Sequence, residues 1–216
     1  MSDTPRTDIP SPEQQTEEWF LAQIAKPEID TPALLQALRE LRDAGRATEA
    51  DQRVELLQDT LAERKRTGQA LEALQLRARW AKAGNRGQIN WAEEAADVLG
   101  GAWEQKALLD ESGFNRPIPP AEAVRRLRLL LALGEGVMVY DRTWGLGVVN
   151  RVDALNKKVE IDFERRAGHQ MSFNYAGESL TLVGEDHLLM WKRRRYEALK
   201  KLVQDDPAAV VRMALQ

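Results

Sequence analysis

Residues 137–163 read VMVYDRTWGLGVVNRVDALNKKVEIDF, and this stretch decides the fold. Val137 and Val139, then Val148 and Val149, then Val159, Ile161 and Phe163 alternate with polar residues in short runs, the period of half-buried strands. Turns are signalled at 153–157, at Ala167-Gly168 and at Gly184. Five short strands are therefore expected, at about 136–140, 146–153, 158–163, 169–173 and 180–183. So many strands in so short a segment predict a small, strongly bent β-barrel of the Tudor or KOW kind over 133–185.

Upstream the period is helical. Residues 1–15 hold Pro5, Pro10 and Pro12 among Ser, Thr, Asp and Gln, too polar to offset the entropy of ordering, and read as a disordered lead-in. A helical pattern begins at Glu17. Asp30 or Thr31 followed by Pro32 caps the next helix, whose stripe is Leu34, Leu35, Leu38 and Leu41 and whose end is Gly45. A second stripe uses Ala50, Val54, Leu57 and Leu61, with a break expected at Gly68, and a third uses Ala70, Leu71, Leu74, Ala78 and Ala81. Helices joined so briefly must pack antiparallel to hide their stripes, in a manner weakly similar to tetratricopeptide hairpins. A further helical region runs from Asn90, breaks at Gly100-Gly101 and ends at Gly113. A proline-stiffened linker at 116–120 leads into a helix at 121–133. Beyond the barrel, 186–204 returns to helix with Leu188, Leu189, Tyr196, Leu199 and Leu202 on one side, closed by Pro207. The pattern from Ala208 to Gln216 reads as the start of another helix, so a fragment of a longer protein is expected. The predicted class is α+β: a helical domain over 16–132, the barrel, and a carboxy-terminal helical region over 186–216.

The 216 residues are 43% hydrophobic and 30% charged, the balance of a folded globular protein. The absence of cysteine excludes disulfides and thiolate metal sites, and no signal-like start or long apolar run is seen, so the expected location is the cytoplasm. The net charge of −3 hides an uneven distribution: residues 1–131 carry 18 basic and 22 acidic side chains, 132–185 carry 6 and 8, and 186–216 carry 7 and 4. Only the tail is basic.

Chemistry is hard to find in these residues. The two histidines, His169 and His187, lack partners at metal-ligand spacing. Gly145-Leu146-Gly147 is not followed by the further glycine and helix of a dinucleotide loop, and no serine sits in a nucleophile elbow. The chain is therefore expected to be no enzyme and to need no cofactor. A tryptophan beside two glycines at a strand start places an aromatic at the barrel mouth, and the following strands would bring Phe163, His169 and Met171 near it. Trp144, Gly145, Gly147, Phe163, His169 and Met171 are thus the expected partner-binding residues, against the alternative that they form only a core. Lys192, Arg193, Arg194, Arg195, Lys200 and Lys201 form a basic helix that could meet nucleic acid or an acidic protein surface, against the alternative of a solvated face.

The order WGLGVV (144–149), VEIDF (159–163), GHQMSF (168–173), a small-residue helix around Ala176 leading to Leu180, then Asp186-His187-Leu188-Leu189 resembles the long bacterial proteins in which a Gre-type (GreA/GreB-type) transcript elongation factor domain follows a large amino-terminal region. The likeness covers residues 113–190. The strand pattern is also similar to CarD-type polymerase-interacting domains, as an analogy of fold. This resemblance implies RNA polymerase as the partner and transcript elongation as the setting. Gre factors stimulate cleavage through a coiled coil with an acidic tip, whereas the hairpin tips here, Gly45-Arg46 and 65–68, are basic or neutral, so that activity is not expected of this chain. Two further readings remain: a nucleic-acid-binding protein using the basic helix at 191–201, and a helical-repeat scaffold for peptide partners.

Overall fold

A computed structural model describes residues 9–81, 89–100, 103–184 and 187–214. The chain divides into two compact units, Met1–Arg128 and Leu129–Gln216, and its class is α+β.

In the first unit α1 (Glu17–Ile24), α2 (Thr31–Asp43), α3 (Ala47–Glu63) and α4 (Thr67–Trp80) are followed by α5 (Trp91–Leu99), α6 (Trp103–Ser112) and α7 (Pro120–Ala132). Local chemistry explains the boundaries. Asp30 caps α2, its Oδ1 accepting from the Ala33 N–H at 3.1 Å, with Pro32 in the first turn. Asn90 caps α5 in the same way through the Glu93 N–H. Gly100 and Gly113, both at positive φ, follow α5 and α6. The expected stripes face inward: Leu38, Leu41, Val54, Leu57, Leu61, Leu71 and Leu74 are essentially inaccessible to solvent. The break expected at Gly68 lies instead at Lys65, which adopts φ 57°, while Gly68 sits inside the first turn of α4. Local spacing favours glycine for that role, but the backbone bonds closing α3 place the left-handed residue three positions earlier: Lys65 N–H donates to Ala62 and Arg66 N–H to Leu61.

Of the lead-in expected over 1–15, residues 1–8 lie outside the described residues. Residues 9–15 are held against the helices by arginines that donate to main-chain carbonyls: Arg46 Nη1 to Pro12 at 2.6 Å and Arg53 Nη1 to Gln15 at 2.8 Å. Gln15 is 1% exposed and returns a bond to the Pro10 carbonyl. Polar residues order here because arginines supply the hydrogen bonds that apolar burial does not. Arg53 is 7% exposed and lies 5.8 Å from the Phe20 ring, and burial pushes its guanidinium below the usual arginine range. Arg53→Met keeps the stem but orphans the Gln15 carbonyl, and is expected to cost about 2 kcal/mol in urea unfolding. Limited proteolysis should then cut ahead of Thr16 in the variant and not in the parent; equal protection would show that the segment is held by other contacts.

In the second unit β1 (Met138–Asp141), β2 (Gly145–Asp153), β3 (Lys158–Phe163), β4 (Arg166–Ser172) and β5 (Thr181–Leu182) form one antiparallel sheet in the order β4-β3-β2-β1-β5. A helix, α8 (Phe173–Ser179), connects β4 to β5, capped by Ser172, whose hydroxyl accepts from the Tyr175 N–H. Among the described residues the ladder is open between β4 and β5, where the sequence pattern predicts a closed barrel. β5 has only two residues, both paired to β1, and α8 occupies the chain between the two edge strands.

Two bulges bend the sheet, one at Asn150 on β2 and one before His169 on β4. Asp162 ties them together, taking the Gly168 N–H at 2.6 Å and a bond from the Asn150 side chain. Those two bonds, the Asn150 bond first, hold its carboxyl below the usual carboxylate range. Val149, Val159, Ile161, Phe163 and Met171 are buried on one face together with Phe173, Ala176 and Leu180. On the other face Met138 and Leu146 pack with Met190 of α9 (Leu188–Arg194). The helix expected over 186–204 is split at Arg195 into α9 and α10 (Tyr196–Asp205), and Pro207 opens α11 (Pro207–Ala214).

Candidate functional site

The turn between β1 and β2 starts from a buried acid. Asp141 is 2% exposed, and its Oδ1 accepts from the Thr143 N–H at 2.7 Å and the Trp144 N–H at 3.0 Å. An aspartate bonding two and three residues ahead is an Asx turn, and it fixes where the Trp144 backbone leaves the sheet. Gly145, at φ 79°, then turns the chain into β2 opposite Asp141. The neighbouring β3–β4 turn locks onto this one: the Glu164 N–H donates to the Leu146 carbonyl at 2.9 Å and Arg165 Nη1 to the Thr143 carbonyl at 3.4 Å.

Trp144 therefore sits half-buried at the end of the sheet, held from two sides. The His169 ring lies 4.9 Å away at an angle of 44°, and the Arg166 guanidinium 5.3 Å from the indole centroid. His169 in turn contacts Phe163 at 5.9 Å. Below them Gly147 is buried, and a Cβ there would stand 2.6 Å from Phe163 Cδ1 and 2.7 Å from Ile161 Cγ2. The Phe163 ring thus packs directly onto the β2 backbone, which only glycine permits.

The structure brings five of the six expected residues to one end of one sheet, in two layers, while Met171 pairs with Val159, which pairs with Val152 toward the far end of β2. Trp144, Gly145 and His169 reach solvent. Gly147, Phe163 and Met171 are buried, and alternation along β3 and β4 puts Phe163 and Met171 on the core face. Sequence reasoning missed Asp141 and Arg166. The pattern Asp-x-Thr-Trp carries the signal for the first, whereas Arg166 becomes visible only once the bulge sets the β3–β4 register. Arg142, Arg165 and Arg166 are all exposed around the tryptophan, with one exposed acid, Glu164, beside Gly145.

The basic helix is less concentrated than its sequence. Lys192 and Lys201 are exposed, Arg195 lies 5.3 Å from the Trp191 ring, and Lys200 pairs with Glu197 at 3.0 Å and covers the Tyr196 ring. The side chains of Arg193 and Arg194 lie outside the described residues. Replacing Arg193, Arg194 and Arg195 by alanine is expected to flatten the salt dependence of any nonspecific duplex binding while the thermal midpoint stays within about 2 °C of the parent. An unchanged salt slope would exclude this helix as a phosphate contact. Among the described residues no group of three His, Asp or Glu could hold a metal ion, and no helix is long and apolar enough to cross a membrane.

Fold and site together define an α+β protein with a preorganised aromatic at the end of a small bent sheet. Part of the chain is similar to a protein of Treponema pallidum (strain Nichols) named for GreA-associated domains, with 31% identity over 86 residues. The match takes in 39% of this chain and 13% of that protein, so the chain spans a minor part of the relative it resembles, and it sets this part of the chain in a GreA-related context. No protein-family model matches the chain, and no solved structure matches it.

Proposed function

We propose that the chain is a transcription-associated docking module that binds RNA polymerase as part of a Gre-factor-like elongation protein, acting by contact and without chemistry of its own, in the cytoplasm. The observation that carries this reading is the Trp144 assembly: an indole left half-exposed, yet fixed by an Asx turn below and by His169 and Arg166 beside it. Preorganised aromatics lose little entropy on binding, and anchors of this type dominate protein interfaces. The exposed Arg142, Arg165 and Arg166 suit an acidic surface around the pocket that receives the indole. The GreA-related context supports the polymerase as the owner of that surface.

The test is capture from a nuclease-treated bacterial lysate on the immobilised chain. The core subunits of RNA polymerase should be retained, and retention should survive removal of nucleic acid. The purified chain should leave transcript cleavage by a backtracked polymerase at its basal rate. Loss of the polymerase on nuclease treatment would transfer the reading to nucleic-acid binding, and cleavage that disappears on mutating an acid of this chain would make it a catalytic factor.

A further inference from the structure

The first unit carries a pocket of about 150 Å³ between α2, α4 and α7. Its apolar lining is Leu35 and Leu76, each 4% exposed, and its polar lining includes Arg39, Arg79 and Arg128. On α4 the lining residues Glu72, Gln75, Leu76 and Arg79 follow one another at three- and four-residue steps and so share a face. Arg128 is already engaged: it donates to Gln75 Oε1 at 2.6 Å and pairs with Glu72. That uses the pocket's one carboxylate. Arg39 makes no ion pair among the described residues, its one side-chain bond being a long 3.5 Å contact to Gln36, and Arg79 has neither ion pair nor hydrogen bond among them. Three guanidinium groups thus line a pocket that holds one acid, and burial, with the nearby Arg79 charge, pushes Arg128 below the usual arginine range. Such a lining is complementary to an anion.

We propose that this pocket receives a single carboxylate side chain from a partner protein, with Arg39 and Arg79 as its donors and Arg128 as a fixed wall. Two observations favour a carboxylate over nucleic acid. The pocket is small and the unit around it acidic, with 18 basic and 22 acidic side chains over residues 1–128, so it suits one isolated carboxylate, whereas a duplex carrying one charge per roughly 1.7 Å would press its neighbouring phosphates onto a repelling surface. The apolar lining of Leu35 and Leu76 also suits the methylenes of a glutamate. The inference concerns a different unit from the Trp144 face and does not rest on the docking proposed there.

The experiment titrates the full chain into a fluorescein-labelled peptide with one glutamate among neutral residues and follows anisotropy, with the same peptide carrying glutamine instead and a six-nucleotide uridine RNA as parallel probes. The glutamate peptide should bind and the glutamine peptide should not. Arg39→Gln with Arg79→Gln should weaken binding at least tenfold, and Arg79→Glu should abolish it, with thermal unfolding little changed because Arg79 is exposed and half-buried Arg39 makes only the long Gln36 contact. Failure of the parent to bind the glutamate peptide, equal binding by the double variant, or uridine RNA bound as tightly through the same two arginines would each overturn the assignment.

Discussion

Gly147→Ala is expected to lower the thermal midpoint of the second unit by roughly 10 °C or more, a large loss from the addition of one methyl group. Its φ is not positive, so alanine fits the backbone, and reducing unfolded-state freedom would by itself stabilise the protein by up to about 1 kcal/mol. The sign reverses because the new Cβ stands 2.6 and 2.8 Å from the Phe163 ring and 2.7 Å from Ile161. Both side chains are buried in the face that holds the sheet together. Overpacking of this kind costs about 1–3 kcal/mol. Gly168→Ala is the control: it meets no atom within 4 Å but has φ 62°, so it should cost only the left-handed backbone penalty, about 1 kcal/mol. Equal melting of Gly147→Ala and the parent would mean that Phe163 does not pack on β2 as described.

Trp144→Ala is expected to leave the fold standing and to remove most of the affinity for RNA polymerase. A fully buried tryptophan cut to alanine costs about 3–5 kcal/mol and could unfold so small a sheet. Trp144 is half-buried, and its losses are the contact with His169 and the cation–π contact with Arg166, together about 1–2 kcal/mol. A cooperative transition should therefore persist at a modestly lower midpoint. Binding should weaken about thirtyfold, the equivalent of about 2 kcal/mol for an anchor residue. Trp144→Phe should recover part of it. A variant that unfolds would make Trp144 chiefly core, and a folded variant of full affinity would remove it from the interface.

Much of this architecture is legible in the residues because hydrophobic period and turn chemistry agree. The strand at 158–163 appears with the bounds its alternation implies, and the stripes of α2, α3 and α4 are the buried faces. The departures share a cause, which is that tertiary hydrogen bonds outweigh local preference. Ala167-Gly168 reads as a turn, yet Asp162 takes the Gly168 N–H and converts the pair into a bulge inside β4, which therefore begins at Arg166. That shift brings Arg166 over Trp144, and no spacing rule anticipates it. Residues 9–15 likewise read as disordered because their composition is polar. The bonds that order them come from Arg46 and Arg53, more than thirty residues along the chain.

The central claim is that the sheet end around Trp144 is a polymerase contact, and its most direct test is an equilibrium titration of purified, nucleic-acid-free core RNA polymerase with the chain labelled away from that face. The account predicts saturable binding that persists at moderate salt, is lost with Trp144→Ala and is retained when Arg193, Arg194 and Arg195 are replaced by alanine. Absence of saturable binding by the parent chain, or binding lost with the arginines and kept without the tryptophan, would contradict it.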